Sequence, residues 1–572
     1  MKRYILQLSF KNFIEALKTK SSVLLVPRCI ALPENISIDS LESWGIPYIY
    51  LYRDEYVKIY SGIIAPIKIF YRINSSGKVI ISDDIRVLLG QSKSIRLDEQ
   101  ALIEFLAFGY TLGDKTLFRG IKFLKAGQIL EYRDSEFTIK DRFIYGITVH
   151  KSRNISDLSI KEWMELLWDE SIHIFKDLTR ALMNRMIVVP LSSGFDSRFV
   201  VVMLKLLGVK NVLCLNYGIR NSWEKNVSQK VAEKLDYEWI FIEYTASKFL
   251  NIIRKHWFHD YILQASNFLT TPNLQELLST YEFKNYHLHQ KQCEIVFIPG
   301  HTGDFISGGH IYYDVLLAKN ILGLVNTILK HHYIRKLPAP PLVVKIVYSY
   351  IWNLVNRLAN LGYRKVDLYR LYEIFDWRER QSKYIMSSTK PYEFFGFKYA
   401  LPLRDKRFIE LWDCVPLKWR YRRYLYRLFL SRLFSYFDLD FERKSFRYLY
   451  EMLLSKSVID TLLNIGFSPF KQLWLKRWYN PCGFDVFFPL MARVSKVRSN
   501  KIEYFKKSLN LESTTRCYAH ICDLTLNILS QHLSSSESSD FQGQSITERQ
   551  LINALSKRVA KVYVFALEDV KV

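Results

Sequence analysis

The passage that most constrains this 572-residue chain is short. Met186-Ile187-Val188-Val189-Pro190-Leu191 is almost wholly apolar and runs directly into Ser192-Ser193-Gly194-Phe195-Asp196-Ser197-Arg198. An apolar run of that length reads as an inner strand of a parallel sheet, buried on both faces. From Ser197 to Leu207 the pattern becomes that of a helix, which Gly208 ends. So tight a strand-to-helix turn leaves main-chain N–H groups and the positive end of the helix dipole at the strand's carboxyl end, where an anion fits. Asp196 repels a bare phosphate, so its presence calls for a cation. Magnesium held between a carboxylate and phosphate oxygens resolves the conflict. A purely structural reading makes Asp196 and Ser197 helix caps.

Downstream the alternation continues. Asn211–Tyr217 reads as a strand, Ser222–Leu235 as a helix, Trp239–Tyr244 as a strand and Glu294–Pro299 as a fourth strand. Alternation with continuous apolar strands means an α/β fold whose parallel sheet is covered on both faces. Ligands in such sheets sit at the carboxyl ends of the strands. The fourth strand leads into Gly300-His301-Thr302-Gly303-Asp304-Phe305-Ile306-Ser307-Gly308-Gly309-His310. Alone, this is a glycine-rich turn with an Asx cap. Paired with the first loop, it sets Asp196 and Asp304 at two strand ends, able to grip one metal–phosphate unit. Glu224, at the start of a helix, reads either as a favourable first-turn charge or as a group near a ligand.

Residues before this region read mainly as strands and turns. Ala65–Arg72 and Lys78–Ser82 flank the turn Asn74-Ser75-Ser76-Gly77, Asp98–Phe108 reads as a helix, and Gly127–Tyr132 returns to strand. Ser159–Met183 is a long amphipathic helix. Leu316–Asn510 is mostly helical, and Ser534–Ser539 is a linker. The expected segments are 1–150, 151–510 and an extension 511–572. Pro341–Leu361 is apolar but interrupted by Lys345, Asn353, Asn356 and Arg357, and is expected to be a buried helix rather than a membrane span.

Lys and Arg total 81 against 56 Asp and Glu, a formal charge of +25, but they are scattered. The densest stretch, Lys418–Arg432, is expected to form helices with basic faces that meet solvent, RNA or an anionic nucleotide. The seven cysteines, Cys29, Cys214, Cys293, Cys414, Cys482, Cys517 and Cys522, show no metal or disulfide spacing. With an N-terminus unlike a signal peptide, they lead to an expected cytoplasmic location. His287, His289, His301 and His310 lack zinc-site spacing and are expected to be structural or substrate-lining.

LSSGFDSR resembles the pyrophosphate loop of the ATP-pyrophosphatases, usually Ser-Gly-Gly-x-Asp-Ser, with Ser193 in place of the first glycine. GHTGDFISGGH resembles the Gly-x-Gly-x-Asp-Glu-Leu-Phe-Gly-Gly-Tyr stretch of asparagine synthetases. Asp304 falls on the family aspartate, Phe305 replaces the glutamate and His310 the tyrosine. IIAPIKIFYR, KVIISDDIRVLL and LDEQALIEFLAFGYTLGDKTLFRGIKFLKAGQILEY resemble the end of that family's glutaminase-type domain.

The resemblance implies a degenerate Ntn-hydrolase-like β-rich domain, then an adenine-nucleotide α-hydrolase-like synthetase domain with a helical C-terminal part. It implies ATP and Mg2+ as cofactors. Leu191, Ser192, Ser193, Gly194, Asp196, Ser197 and Gly303 would surround pyrophosphate, Leu215 to Gly218 would hold adenine, and Asp196 and Asp304 would hold the metal. Glu224 would lie near nucleotide and substrate. Lys444, in Glu442-Arg443-Lys444-Ser445-Phe446, would steady developing charge.

The activity implied is adenylation of a carboxylate and its transfer to ammonia or an amine, with asparagine as the product from aspartate. Phe305 is expected to fill part of the acceptor pocket and disfavour free aspartate. Glutaminase activity is not expected, since Met1 is followed by Lys2 and the first cysteine is Cys29. The alternatives are an RNA-modifying ATP-pyrophosphatase of the tRNA-lysidine kind and a catalytically retired scaffold.

Overall fold

A computed structural model describes residues 5–19, 21–33, 36–53, 56–91, 96–147, 158–287, 294–334, 337–439 and 521–529. Lys444, Cys293, Cys482, Cys517, His289 and the serine-rich run lie outside these residues.

The first part of the chain forms two sheets. One has six antiparallel strands, β2 (Phe13–Lys18), β3 (Ser22–Pro27), β4 (Tyr48–Tyr52), β5 (Tyr56–Tyr60), β9 (Gln128–Arg133) and β10 (Glu136–Asp141), in the order β10-β9-β5-β4-β3-β2. The other orders β1 (Ile5–Ser9), β7 (Lys78–Ser82), β6 (Phe70–Ile73) and β8 (Lys122–Phe123) as β1-β7-β6-β8. The expected hairpin is β6–β7, but β6 begins only at Phe70, and Ala65, where the strand is expected to start, adopts a left-handed φ of 45°. Alternate residues give each sheet two faces. Ile49, Ile59, Tyr71, Val79, Ile81 and Leu130 fill the layer between the sheets. The outer faces are also covered. Tyr48, Tyr60 and Ile129 join one core of the later chain, and Phe70 and Ile80 join another.

The third sheet is wholly parallel: β11 (Met186–Pro190), β12 (Val212–Gly218), β13 (Glu238–Glu243), β14 (Ile295–Phe297) and β15 (Lys398–Tyr399), ordered β13-β12-β11-β14-β15. Its inner strands are buried on both sides. Ile187, Val189, Val212 and Cys214 face one core, and Val188, Leu213 and Leu215 face the other. Helices Phe195–Leu206 and Ile160–Ala181 cover the first face, the latter opened by a Ser159–Glu162 capping box. Helices Gln275–His287 and Lys390–Phe394 cover the second.

Beyond the sheet the described chain is helical to residue 439. Pro341–Asn360 is a helix with one buried face, and Tyr348 and Trp352 stay exposed. Among the described residues no helix is long and apolar enough to cross a membrane. Helix Leu368–Phe375 continues into a π-helix, Asp376–Tyr384. Residues 521–529 form a buried helix whose Cys522 Sγ lies 3.2 Å from the Phe105 carbonyl, so chain beyond the expected boundary at 511 belongs to the same core.

Candidate active site

Strand order places the site. From β11 the chain builds β12 and β13 on one side, then returns to place β14 on the other. The loops after β11 and β14 therefore part at the sheet's carboxyl edge, the crevice where parallel sheets bind ligands. A cavity of about 400 Å³ opens there.

The loop after β11 is built from its own serines. Ser192 N donates to Ser197 Oγ at 3.0 Å, and Gly194 N donates to Ser192 Oγ at 3.0 Å. Helix Phe195–Leu206 starts two residues earlier than its apolar pattern predicts, because Gly194 takes the N-cap. Asp196 and Ser197 are thus first-turn residues, not caps. No side chain caps this helix, and its first residues, Gly194 to Ser197, line the cavity, which brings its positive end there. Ser193 N and Oγ both donate to Glu224 Oε1, at 3.1 and 3.0 Å. Glu224 is buried in the first turn of helix Trp223–Lys234, and burial raises its carboxyl pKa. It braces the loop through both the backbone and the hydroxyl of Ser193.

The loop after β14 touches the first one through its glycines. A Cβ on Gly300 would lie 2.4 Å from Ser197 N, and one on Gly303 would lie 2.6 Å from Asp196 Cγ. Only glycine permits either approach. Thr302, between them, holds a left-handed φ of 82°.

Asp304 N donates to Asp196 Oδ2 at 2.8 Å, and Tyr426 OH donates to Asp196 Oδ1 at 2.9 Å. Asp304 Oδ1 accepts from Phe305 N at 2.8 Å, while Oδ2 meets His310 Nε2 at 3.1 Å. His310 Nδ1 lies 2.5 Å from Asp376 Oδ2. The Asp304 side chain is 46% exposed and opens on the cavity.

Burial, followed by the charge of Asp304, pushes the Asp196 carboxyl up to about 7. Burial also works against ionisation of Asp304, but the His310 imidazolium beside it holds that carboxyl well below the usual range. Burial opposes the His310 charge too. Asp376 and Asp304 outweigh it and raise the imidazole to about 9.

Two adjacent carboxylates, each oxygen holding one donor and keeping a lone pair, form a hard-oxygen set suited to magnesium. Among the described residues no group of three or more acidic, histidine or cysteine side chains could hold a metal. A pair fits magnesium that takes its remaining ligands from phosphate and water.

The basic stretch Lys418–Arg432, expected to meet solvent, RNA or an anionic nucleotide, supplies one cation to the cavity, a residue the sequence did not single out. Arg423 lines the cavity, with its guanidinium 5.5 Å over the Phe195 ring, and both it and Arg422 have left-handed φ near 58° and 56°. Non-glycine residues held there are a recurrent sign of a working site. Arg420 is fully buried and paired with Glu373. The expected basic helical face therefore sends Arg420 into the core and Arg423 to the site.

Leu191, Ser192, Gly194, Asp196, Ser197, Leu215, Glu224 and Asp304 line the cavity, and Ser193 and Gly303 stand immediately behind it. Gly218, at the end of β12, is not among the lining residues. Phe305 corrects an expectation. It is 1% exposed, packed at 5.0 Å against Tyr145 and 5.8 Å against Trp377, and fills core rather than an acceptor pocket. His301 does line the cavity, bonded to Ser388 Oγ at 2.9 Å, and burial pushes it down to about 3, so it is neutral. His287 packs on Phe283.

No protein-family model matches the sequence, and no curated protein matches it. Among solved structures, the chain is similar to NMN synthetase from Francisella tularensis, at 16% identity and a TM-score of 0.21, over 39% of this chain and 94% of that one. It is similar to NH3-dependent NAD synthetase from Campylobacter jejuni subsp. jejuni NCTC 11168, in complex with the nitrate ion, at 15% identity and a TM-score of 0.20, over 41% and 96%. Likenesses this low are no ground for assigning an activity.

Proposed function

We propose that this chain is an ATP-dependent ligase of the ATP-pyrophosphatase kind, which adenylates a carboxylate and transfers it to ammonia or an amine. The observation that carries the reading is the convergence of Asp196, Asp304 and Arg423 on one cavity, at the end of a helix, where the strand order reverses. The asparagine-synthetase-like order of the motifs supports the finer reading.

In this reading the Ser192–Ser197 loop faces the β- and γ-phosphates, and Leu215 lies on the adenine side. Magnesium, when bound, neutralises phosphate charge and would be held by Asp196 and Asp304. A substrate carboxylate oxygen attacks the α-phosphorus, and the bond to pyrophosphate breaks. Arg423 stabilises the charge on the leaving oxygens, the task the resemblance assigns to Lys444. The amine then attacks the acyl carbon, loses its proton, and AMP leaves.

The test is pyrophosphate release from ATP screened over carboxylates and amines, with MgATP affinity measured by calorimetry. Saturable MgATP binding and substrate-dependent pyrophosphate release are expected. Absence of both from folded protein overturns the proposal in favour of a scaffold.

A further inference from the structure

One wall of the cavity is built for something the phosphate chemistry does not use. Glu276, 7% exposed, lines it from helix Gln275–His287. Its Oε1 accepts from Tyr217 OH at 3.2 Å, and its Oε2 has no hydrogen-bond partner. Asn216, 4% exposed at the end of β12, lines the same cavity. Its Nδ2 donates to the Leu191 carbonyl at 2.8 Å, which fixes the amide, and its Oδ1 has no partner.

Two buried acceptors without donors each carry the full cost of losing water. No Lys or Arg forms a salt bridge with Glu276 among the described residues. Burial therefore pushes its carboxyl up to about 7. A ligand that brings several N–H donors and a positive charge would relieve both groups. The chain as a whole carries +25, so a small cation is not drawn to it without a local acceptor set. Tyr217, which also lines the cavity, is held in place by stacking on Tyr244, ring centroids 5.3 Å apart.

We infer that Glu276 and Asn216 form a subsite that recognises an aliphatic ammonium group on a substrate of the proposed ligase. The inference rests on that reading for the identity of the cavity, but it can fail separately. The ammonium is a recognition handle: it keeps its protons and its charge, and bonds form and break elsewhere in the substrate. An adenine amino group is the competing occupant. It is also a donor, but it is uncharged, and so it answers Asn216 better than Glu276.

The experiment titrates the full chain by calorimetry at fixed ionic strength with 1,4-diaminobutane, with 1-butanol as the uncharged control, and separately with MgATP and MgGTP. Wild type is expected to bind the diamine saturably and ignore the alcohol. Glu276→Gln should weaken diamine binding about ten-fold or more, as expected for one charge-assisted hydrogen bond, and leave MgATP affinity unchanged. Asn216→Ala provides a second, independent loss if the first variant does not fold.

Wild type that binds MgATP but not the diamine overturns the subsite and leaves the ligase reading standing. Diamine binding without MgATP binding does the reverse. Variants that alter discrimination between MgATP and MgGTP while keeping diamine affinity also overturn the inference, since the pair would then read the base.

Discussion

Gly303→Ala probes the joint between the two loops. A Cβ there would stand 2.6 Å from Asp196 Cγ and 2.7 and 2.8 Å from its two oxygens, whereas ordinary contact begins near 3.4 Å. The carboxylate must therefore retreat by about 0.8 Å. It is short and tied to Asp304 N at 2.8 Å and Tyr426 OH at 2.9 Å, so any retreat strains both bonds. Overpacking costs ~1–3 kcal/mol and a weakened charge-assisted bond ~1 kcal/mol more, so a stability loss of about 2–4 kcal/mol is expected. If Asp196 positions the phosphates as proposed, a displacement near 1 Å costs on the order of 10²-fold in rate. Pyrophosphate release, MgATP affinity and thermal unfolding measure the three consequences. Gly90→Ala is the control, because a Cβ there meets nothing within 4 Å. Gly303→Ala with release and MgATP affinity within about two-fold of wild type, against the 10²-fold expected, would refute the claim that the two loops act as one unit.

Asp196→Asn and Asp304→Asn should each remove most pyrophosphate release. The first should also hold or raise the unfolding temperature, because it deletes a carboxyl whose ionisation is opposed by desolvation and by the charge of Asp304; a fall of several degrees would count against the pairing. Glu276→Gln should flatten the pH dependence of stability. The folded carboxyl, near 7, lies above its ordinary 4.5. The unfolded chain therefore loses its proton first, stability falls as pH rises from 4.5 to 7, and the variant's advantage in urea unfolding, up to a few kcal/mol, should appear at pH 8 and vanish at pH 4. Incubation with glutamine should yield no glutamate, and Cys29→Ala should not change that result.

The parallel sheet was legible because β11 and β12 are buried on both faces, which leaves an apolar signature no surface strand carries. The two aspartates were legible because each follows such a strand. Boundaries were less so: Gly194, not Asp196 or Ser197, caps the first-loop helix, since the loop's hydrogen bonds settle where helical geometry begins. Arg423 was hidden in a run of basic residues. It reaches the cavity through two successive left-handed residues, a feature that tertiary packing imposes and local pattern does not encode. Phe305 looked like an altered site residue, yet the short helix Gly303–Ile306 turns it toward Tyr145 and Trp377. β15, only two residues long, leaves no periodic trace at all.

That edge strand bears on what the first two sheets do. Tyr399 N donates to the Cys29 carbonyl and Ala31 N to the Tyr399 carbonyl, both at 2.9 Å, so the chain after β3 pairs onto the parallel sheet beside β15. Cys29 Sγ lies 3.6 Å from Tyr399 OH, and burial, with Glu393 nearby, pushes the thiol far above its ordinary range. A nucleophilic cysteine needs the opposite, a depressed pKa and an adjacent base. Exposing Cys29 as a terminal residue would also remove β1, β2 and β3, and with β1 the strand that pairs along β7. The junction is fixed further by Lys68, whose Nζ donates to the Ala65 and Ser382 carbonyls, and by Lys390, which donates to the Pro66 carbonyl. Lysines buried this fully are destabilising unless hydrogen-bonded, and here the acceptors come from both sides of the junction. The two-sheet part is thus held as a wall of the later chain. Through the pairing with Tyr399 it supports the β14–β15 edge, and with it the loop that carries Asp304.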